Sequence, residues 1–405
     1  MNRSMFPTDS YQFARPAPKS PRIASRRGGK TSSNMFSDQS AGKGSRMGLF
    51  LLVLMSLIAL LAVFTMIDSN YVRVEQVQVV IPGMDSAFEG FSILHISDLH
   101  GKRFGAKQQQ LKRALDNVHF DAVCITGDIT GQGTGPYDAF YELLEILEPS
   151  AKRPVFFVAG DDDPPALIGE PGATADVLAE FIIGAQRRGA IYVDAPQRFN
   201  GTDRLRAVGK SVWIMPGSLL GLDLKNAQDQ YENQLRKDQE SENANSPGIK
   251  ARERLIKHQL EVLERAQAAY DPESPDYMQP GDLRVALVHT PLRPDFIRTL
   301  QNAGGANTAG SAYARVLDLV LAGHYNGGQV RLPFIGPVYV PGDDLPRSGW
   351  FPGNRRVQGL SQVSGIAQHI SPGLGTSSAY SVPIRLFNSP RVTVLRLTSS
   401  LPIGD

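Results

Sequence analysis

The chain has 405 residues, of which 41% are hydrophobic and 20% charged, so it can form one large domain or two, and global disorder is excluded. Its formal net charge of +2 hides an asymmetry, because the first 46 residues carry nine basic and two acidic side chains and leave the remainder mildly acidic. An acidic main body lacks the basic surface of nucleic-acid-binding proteins, so we expect no nucleic-acid partner.

The N-terminal region predicts a membrane anchor. Residues 1–46 are rich in Ser, Gly, Pro, Lys and Arg, which predicts a disordered tail. Residues 47–67 are almost entirely apolar and, as a helix, match the ~30 Å hydrocarbon core of a bilayer. A buried core helix and a cleaved signal peptide are the alternatives. Basic residues before the run and Asp68 after it predict a single-pass protein of the cell membrane, with the tail in the cytoplasm and the main domain outside.

The main domain, residues 71–405, alternates short apolar runs with helix-length polar stretches, which indicates an α/β fold. After a strand over residues 71–79, further strands are predicted at residues 92–97, 121–126, 154–159, 191–193, 205–208, 212–215, 283–288, 317–322, 329–332 and 392–397. Helices are predicted at residues 106–118, 137–147 and 175–188. Residues 226–269 are charged, Gln-rich and helical in pattern, which predicts either an inserted helical hairpin or a solvated surface excursion.

Polar clusters follow five of the predicted strands. Because open α/β sheets bind ligands at the carboxyl ends of their strands, we expect these side chains to converge at one edge. Carboxylates and imidazoles are common metal ligands, and a carboxylate between two cations screens their repulsion. The candidate residues are Asp98, His100, Asp128, Asp161, Asp162, His289, His324 and Asn326.

The order Asp-x-His, Gly-Asp, Gly-Asn-His-Asp, His, Gly-His-x-His is the signature of the calcineurin-like metallophosphoesterases. The chain resembles their bacterial membrane-anchored or exported branch from Phe91 to Leu397, apart from residues 226–269. The resemblance implies a four-layer α/β/β/α sandwich with a dinuclear centre between the sheets, preceded here by one transmembrane helix. It implies one ion held by Asp98, His100, Asp128 and Asn326, and a second held by Asp128, Asp161, His289 and His324.

The chain departs from this signature at four positions. Asp161 replaces a ligating Asn, and Asn326 replaces a ligating His. Asp162 replaces the catalytic His and is the candidate to substitute for it, while Gly131 stands where an Asp would orient that His. The catalytic His and the Asp that orients it are therefore both replaced in this chain. The oxygen-rich ligand set predicts two divalent ions, Mn²⁺ or another transition metal ahead of Mg²⁺ or Ca²⁺, with a single bound ion as the alternative.

Three functions remain open from the sequence. The first is a membrane-anchored hydrolase that cleaves a phosphomonoester or phosphodiester with water activated by the metal ions. Its substrate would be a phosphorylated small molecule, a lipid or a cell-envelope component. The second is a pseudoenzyme that keeps the fold and part of the metal site and binds a phosphorylated ligand or a protein. The third is a structural membrane protein whose motifs are coincidental. Cys124 and His95 are expected to be buried core residues.

Overall fold

The structure is a computed structural model that describes residues 41–131, 137–169, 177–305, 317–341, 345–377, 379–380 and 384–400. Most of the predicted tail, residues 1–40, lies outside the described residues. Helix α1 (Ala41–Asn70) contains the predicted span, and its segment Arg46–Asn70 is long and apolar enough to cross a membrane. The chain divides into two compact units after Leu57, and the second unit, from Ile58 onward, contains the end of α1 and the rest of the fold.

The described residues of the second unit form fourteen strands and eight further helices, besides short 3₁₀ turns. The strands are β1 (Arg73–Val80), β2 (Ser92–Ile96), β3 (Ala122–Thr126), β4 (Val155–Val158), β5 (Ile191–Tyr192), β6 (Gln197–Phe199), β7 (Val212–Pro216), β8 (Leu283–Leu287), β9 (Leu319–Ala322), β10 (Arg331–Leu332), β11 (Gly336–Pro337), β12 (Gly359–Val363), β13 (Ile366–Ile370) and β14 (Arg391–Thr398). The helices are α2 (Gln109–Leu115), α3 (Asp138–Leu147), α4 (Glu180–Gln186), α5 (Asp203–Val208), α6 (Leu224–Glu240), α7 (Pro247–Tyr270), α8 (Pro294–Gly305) and α9 (Asn354–Val357).

Two six-stranded sheets form the core. The first has the order β1-β14-β2-β3-β4-β5, in which β2 to β5 are parallel and β14 runs antiparallel to β2. The second has the order β12-β13-β9-β8-β7-β6, in which β13, β9, β8 and β7 are parallel. Parallel strands need crossover connections, which the helices supply.

Three apolar clusters define four layers. Between the sheets, one cluster joins Ile93 and Phe156 of the first sheet to Val285 and Leu321 of the second. A second cluster packs the outer face of the first sheet against α2, α3 and α4. A third packs the outer face of the second sheet against α7 and α8, with Ile297 fully buried. The predicted α/β/β/α sandwich is therefore confirmed.

Several sequence-based assignments differ from the structure. Residues 205–208, predicted as a strand, belong to α5, because Thr202 caps the helix start by accepting from the Leu205 N–H and Gly209 ends it with a φ of 66°. The exposed Val208 fits a short surface helix better than a buried strand. Strands β6, β12 and β13 were not predicted, because their polar and apolar residues give no clear strand pattern. Helices α6 and α7 occupy the charged segment around residues 226–269.

A pair of buried histidines joins the two sheets. His95 on β2 and His369 on β13 place their Nδ1 atoms 2.8 Å apart, so one ring donates and the other accepts. The second nitrogen of His95 lies 3.0 Å from the Thr126 hydroxyl. Burial lowers the pKa of His95 well below its usual value and that of His369 to about 3, so both rings are neutral in the folded chain.

The histidine pair should make the fold sensitive to acid. Unfolding returns both pKa values to about 6.5, so below that pH the unfolded chain binds protons that the folded chain does not. Stability is complete above about pH 6.5 and falls on acidification by up to ~1.4 kcal/mol per pH unit for each ring. We expect His369→Gln to flatten the pH dependence of the free energy of unfolding, measured by guanidinium denaturation. Exposed His119→Gln is the control, and equal slopes for the wild type and His369→Gln would contradict the prediction.

Candidate metal centre

Five strand ends deliver the site. Strands β2, β3 and β4 of the first sheet and β8 and β9 of the second all end at the same edge of the sandwich, so the polar residues that follow them meet between the sheets. The structure brings together every predicted site residue: Asp98, His100, Asp128, Asp161, Asp162, His289, His324 and Asn326. Their ligand atoms form three groups, each within 4.8 Å: Asp161, His289 and His324; Asp98, Asp128 and His289; and His100, Asp128 and Asp162.

The backbone at the site is strained. Five of the site residues have left-handed φ values, which bulky non-glycine residues rarely adopt. They are Asp98 (53°), His100 (47°), Asp128 (51°), His324 (77°) and Asn326 (50°). Each such position costs on the order of 1–3 kcal/mol and persists only where the surrounding structure imposes it. Strain concentrated at one set of strand ends is typical of a functional site.

Two glycines allow the loops to approach one another. A Cβ atom on Gly160 would lie 2.2 Å from the Oδ1 atom of Asp128, and one on Gly323 would lie 2.6 Å from the Oδ2 atom of Asp98. Both distances are too short for any side chain. Glycine is therefore required at these two positions for the loops after β4 and β9 to reach the carboxylates of the first sheet.

His289 lies at the centre of one group of donors. Its Nδ1 atom contacts the carbonyl oxygen of Thr126 at 2.8 Å, so Nδ1 donates and Nε2 is left as the atom facing the site. That Nε2 atom lies 3.2 Å from Asp128 Oδ2, 2.7 Å from Asp161 Oδ1 and 3.3 Å from His324 Nδ1. Lone pairs on these four atoms repel unless a cation lies among them, whether a proton or a metal ion.

The pKa values of these groups reflect the same requirement for a cation. Burial lowers the pKa of His289, but its contacts with Asp128 and Asp161 outweigh burial and raise it well above its usual value. Burial alone would raise the pKa of Asp161, whereas the imidazoles of His289 and His324 lower it well below its usual range. The second oxygen of Asp161 lies 3.1 Å from His324 Nδ1. The group thus favours positive charge at its centre.

A second group surrounds His100. Its Nδ1 atom lies 3.4 Å from Asp162 Oδ2, and its Nε2 atom lies 3.8 Å from Asp128 Oδ2. The side-chain nitrogen of Asn326 lies 3.2 Å from the same Nε2 atom. A half-turn of the Asn326 amide would place its oxygen there instead. Asp162 therefore belongs to the donor cluster.

The donor set fits a divalent metal. Asp98 is fully buried; its Oδ1 atom accepts from the His324 N–H at 2.9 Å, and its Oδ2 atom has no hydrogen-bond partner among the described residues. The Oδ1 atom of buried Asn326 is likewise without a partner in that part of the chain. Buried polar atoms are nearly always paired, so unpaired oxygens beside three imidazoles indicate ligand positions.

The sequence did not identify several supporting residues. Buried Asp163 accepts from the backbone N–H groups of Ile129, Thr130 and Gly160, and so ties together the loops that carry Asp128 and Asp161. The Ser377 hydroxyl donates to Asp162 Oδ2 at 3.1 Å. The third aspartate of the Gly-Asp-Asp-Asp run was a usable signal for Asp163, whereas Ser377 is 215 residues from its partner and gave no local signal.

Arg385 fixes the backbone of a loop that contacts the site. It is fully buried and donates to the carbonyl oxygens of Gly375, Pro372 and Asn388 at 2.6, 2.6 and 2.8 Å. Burial lowers its pKa to about 10, so the guanidinium remains charged at neutral pH. The loop that it holds contacts the first metal motif, because the Gly375 N–H donates to the carbonyl oxygen of Asp98 at 2.6 Å.

A methyl group at Gly160 should disrupt the site. Gly160→Ala places its Cβ atom against Asp128 Oδ1, so the loop after β4 must move away from the shared carboxylate. We expect a loss of at least half of the bound Mn²⁺ per chain, measured by elemental analysis after dialysis. Gly248→Ala is the control, because a Cβ atom there meets nothing within 4 Å. Equal Mn²⁺ content in both variants would contradict the prediction.

The chain is similar to several known proteins. The family model for calcineurin-like phosphoesterases (Metallophos) matches residues 91–326. The chain is 32% identical over 84 residues to the uncharacterized metallophosphoesterase YkuE of Bacillus subtilis (strain 168), a match that spans 21% of this chain and 25% of that relative. A solved structure described as GAP50, the anchor in the inner membrane complex of Plasmodium, matches with a TM-score of 0.30 and 11% identity over 75% of this chain and 80% of that one. Because the family model covers more than half of its residues, the chain belongs to the calcineurin-like phosphoesterase family.

Proposed function

We propose that the chain is a membrane-anchored, metal-dependent phosphoesterase that acts outside the cytoplasmic membrane. The observation that carries the proposal is the convergence of the seven carboxylate and imidazole side chains and the Asn326 amide on one strained edge of the sandwich. Membership of the family implies metal-dependent phosphoester hydrolysis, and the donor groups on the two sheets match that chemistry. Apolar α1 and the basic residues before it support the anchoring and the orientation.

In this proposal, Asp128 would belong to the ligand sets of both ions. Asp161, His289 and His324 would complete one set, and Asp98, His100, Asp162 and Asn326 would contribute to the other. When bound, the ions supply Lewis-acid activation of water and neutralise the charge of the phosphoester. Four carboxylates balance the charge of two divalent ions, and their oxygens favour Mn²⁺ over softer metals.

The residues around the site orient the side chains that would bind metal, rather than transfer protons. Asp163 fixes the loops after β3 and β4, and His289 is oriented by the Thr126 carbonyl oxygen. Asp162 accepts from Ser377 and faces His100, which suits an oxygen ligand and not a proton donor to a leaving group. We therefore expect efficient cleavage only of esters whose leaving group departs without protonation.

The alternative function is a phosphate-binding pseudoenzyme. The observation that favours it is the absence of the acid/base unit, with Asp162 at the histidine position and Gly131 at the position of its orienting carboxylate. Under this alternative, the same residues bind metal and a phosphorylated ligand without turnover.

Hydrolysis of bis-p-nitrophenyl phosphate by the purified full-length chain with Mn²⁺ separates the two functions. The nitrophenolate group leaves without a proton, so the missing histidine matters little. We expect turnover that is lost at least about 100-fold in Asp128→Ala, because that variant removes a ligand shared by both ions. Wild-type turnover equal to that of Asp128→Ala, with Mn²⁺ still bound, would establish the pseudoenzyme.

Restoring the missing pair should extend the substrate range. The double variant Gly131→Asp, Asp162→His rebuilds the family's acid and its orienting carboxylate, and the nearest atom to a Cβ on Gly131 lies 3.9 Å away, so the aspartate fits. General acid catalysis contributes ~10²–10⁴-fold, so turnover of an alkyl phosphodiester should rise ~100-fold. The nitrophenyl diester should gain at least about tenfold less than the alkyl diester, because its leaving group needs no acid. The single variant Asp162→His is the control, since it lacks the orienting carboxylate. An equal change for both substrates would contradict a general-acid role.

A further inference from the structure

A pocket adjoins the metal centre at the end of helix α1. It has a volume of about 610 Å³, within the ~300–1,000 Å³ range of ligand pockets. One wall consists of α1 residues that include Leu61, Ala62 and Thr65, and the other includes Lys102 and Arg385. All of these residues belong to the compact unit that begins at Ile58.

The wall of the pocket formed by α1 is mostly apolar, and the other wall carries basic side chains. The Thr65 hydroxyl donates to the Leu61 carbonyl oxygen at 2.7 Å and so leaves only its methyl group for a ligand. Among the lining residues, Lys102 and Arg385 are charged and none is acidic. Arg385 is fully buried and donates to three backbone carbonyls, whereas Lys102 is only partly buried and donates one of its three N–H groups to Ser69 O. This arrangement suits an aliphatic chain with an anionic head.

The pocket lies beside the site in the chain, and its lining residue Arg385 donates to Gly375, whose N–H donates to the Asp98 carbonyl oxygen. Lys102 is two residues after His100, and the lining residue Thr376 directly precedes Ser377, which contacts Asp162. A ligand whose chain lies along α1 therefore has its head beside the His100 group of ligands.

Exposed aromatic residues on the neighbouring segments indicate what surrounds the pocket. Phe334, Phe351 and Phe387 are all exposed and all have left-handed φ values, of 66°, 45° and 52°. Exposed phenylalanine in such a turn position costs stability and gains nothing in water. The ring of Phe387 packs on Phe64 of α1 at a centroid distance of 5.6 Å, which places Phe387 against the candidate membrane helix.

Backbone hydrogen bonds connect these aromatic segments to the pocket. Arg331 at the start of the β10–β11 hairpin donates its N–H to the carbonyl oxygen of the lining residue Leu386 at 3.0 Å. The Phe351 N–H donates to the Val338 carbonyl oxygen at 2.9 Å. Exposed phenylalanine side chains insert into lipid at the membrane surface, so a bilayer accounts for the exposure of these three residues where a soluble ligand does not.

We propose that this pocket binds an acyl chain of a membrane phospholipid, so that a lipid phosphoester is the substrate class of the neighbouring metal centre. The hydrolysis rests on the function proposed above, whereas the binding does not. In the membrane the occupant is the lipid that surrounds α1. Its chain packs on Leu61 and Ala62, and its phosphate lies between Lys102 and the metal ligands.

A pair of soluble probes tests the acyl-chain site. Dihexanoyl phosphatidic acid and glycerol 3-phosphate share the same head and differ in their chains. Equilibrium binding to the full-length chain in phosphatidylcholine nanodiscs is measured with a chelator present, so that no metal-dependent turnover consumes the probe, and binding to empty nanodiscs is subtracted. Burial of the chains should make phosphatidic acid bind at least about tenfold more tightly than glycerol 3-phosphate.

Two neighbouring leucines supply matched variants. Leu61→Trp fills the pocket, and Leu60→Trp introduces the same side chain on the opposite face of α1. We expect Leu61→Trp to abolish the preference for phosphatidic acid and Leu60→Trp to retain it. Ala62→Leu, a smaller change, should reduce the preference at an unchanged melting temperature. Equal binding of the two probes by the wild type, or an equal loss in both tryptophan variants, would overturn the proposal.

Turnover of bis-p-nitrophenyl phosphate by the same samples with Mn²⁺ measures the proposed function separately. Turnover that persists in Leu61→Trp while lipid preference disappears supports the pocket as a lipid site beside a working centre. If the wild type hydrolyses the diester but shows no preference for phosphatidic acid, the lipid site is rejected and the proposed function stands. If it shows the preference but no turnover, the proposed hydrolysis is rejected and the lipid-binding site stands.

Discussion

The metal centre depends on the alignment of two β-sheets whose carboxyl edges lie side by side. The apolar cluster between the sheets fixes their separation, and polar contacts fix their register at the edge. His289 of the second sheet donates to Thr126 of the first, and the His324 N–H donates to Asp98. A slip of one strand by a single residue within its sheet would turn the side chains of that strand to the other face and remove its residues from the ligand set.

The alignment of the two sheets also explains why the backbone strain at the site is tolerated. Left-handed φ values at Asp98, Asp128 and His324 are imposed by loops that are hydrogen-bonded on both sides, with Asp163 and Arg385 as the main buried supports. These supports are far apart in sequence and act through backbone atoms. The centre is therefore held by the sandwich as a whole, and no single loop can form it alone.

The site was more predictable than its surroundings, for a physical reason. The motifs of the candidate ligands are local, because each candidate residue follows a strand, so Asp128 or His324 could be proposed from a few residues. The supports were not, since Ser377 meets Asp162 only through the tertiary fold and Arg385 bonds to carbonyl groups that carry no sequence signal. Strand β13 was missed for a related reason: its buried Gln368 and His369 are paired across the fold and interrupt the apolar pattern.

The junction between α1 and the sandwich has a kinetic consequence. Only Tyr71 and Val72 separate α1 from β1, and Asp68 at the helix end accepts from the Ser389 hydroxyl at 2.6 Å. This connection contains no flexible linker, so the domain cannot reorient freely relative to the end of α1. Under the proposed anchoring of α1, the centre remains close to the membrane. Encounters then occur by lateral diffusion in two dimensions, and the rate follows the surface density of a membrane-bound ligand and not its bulk concentration.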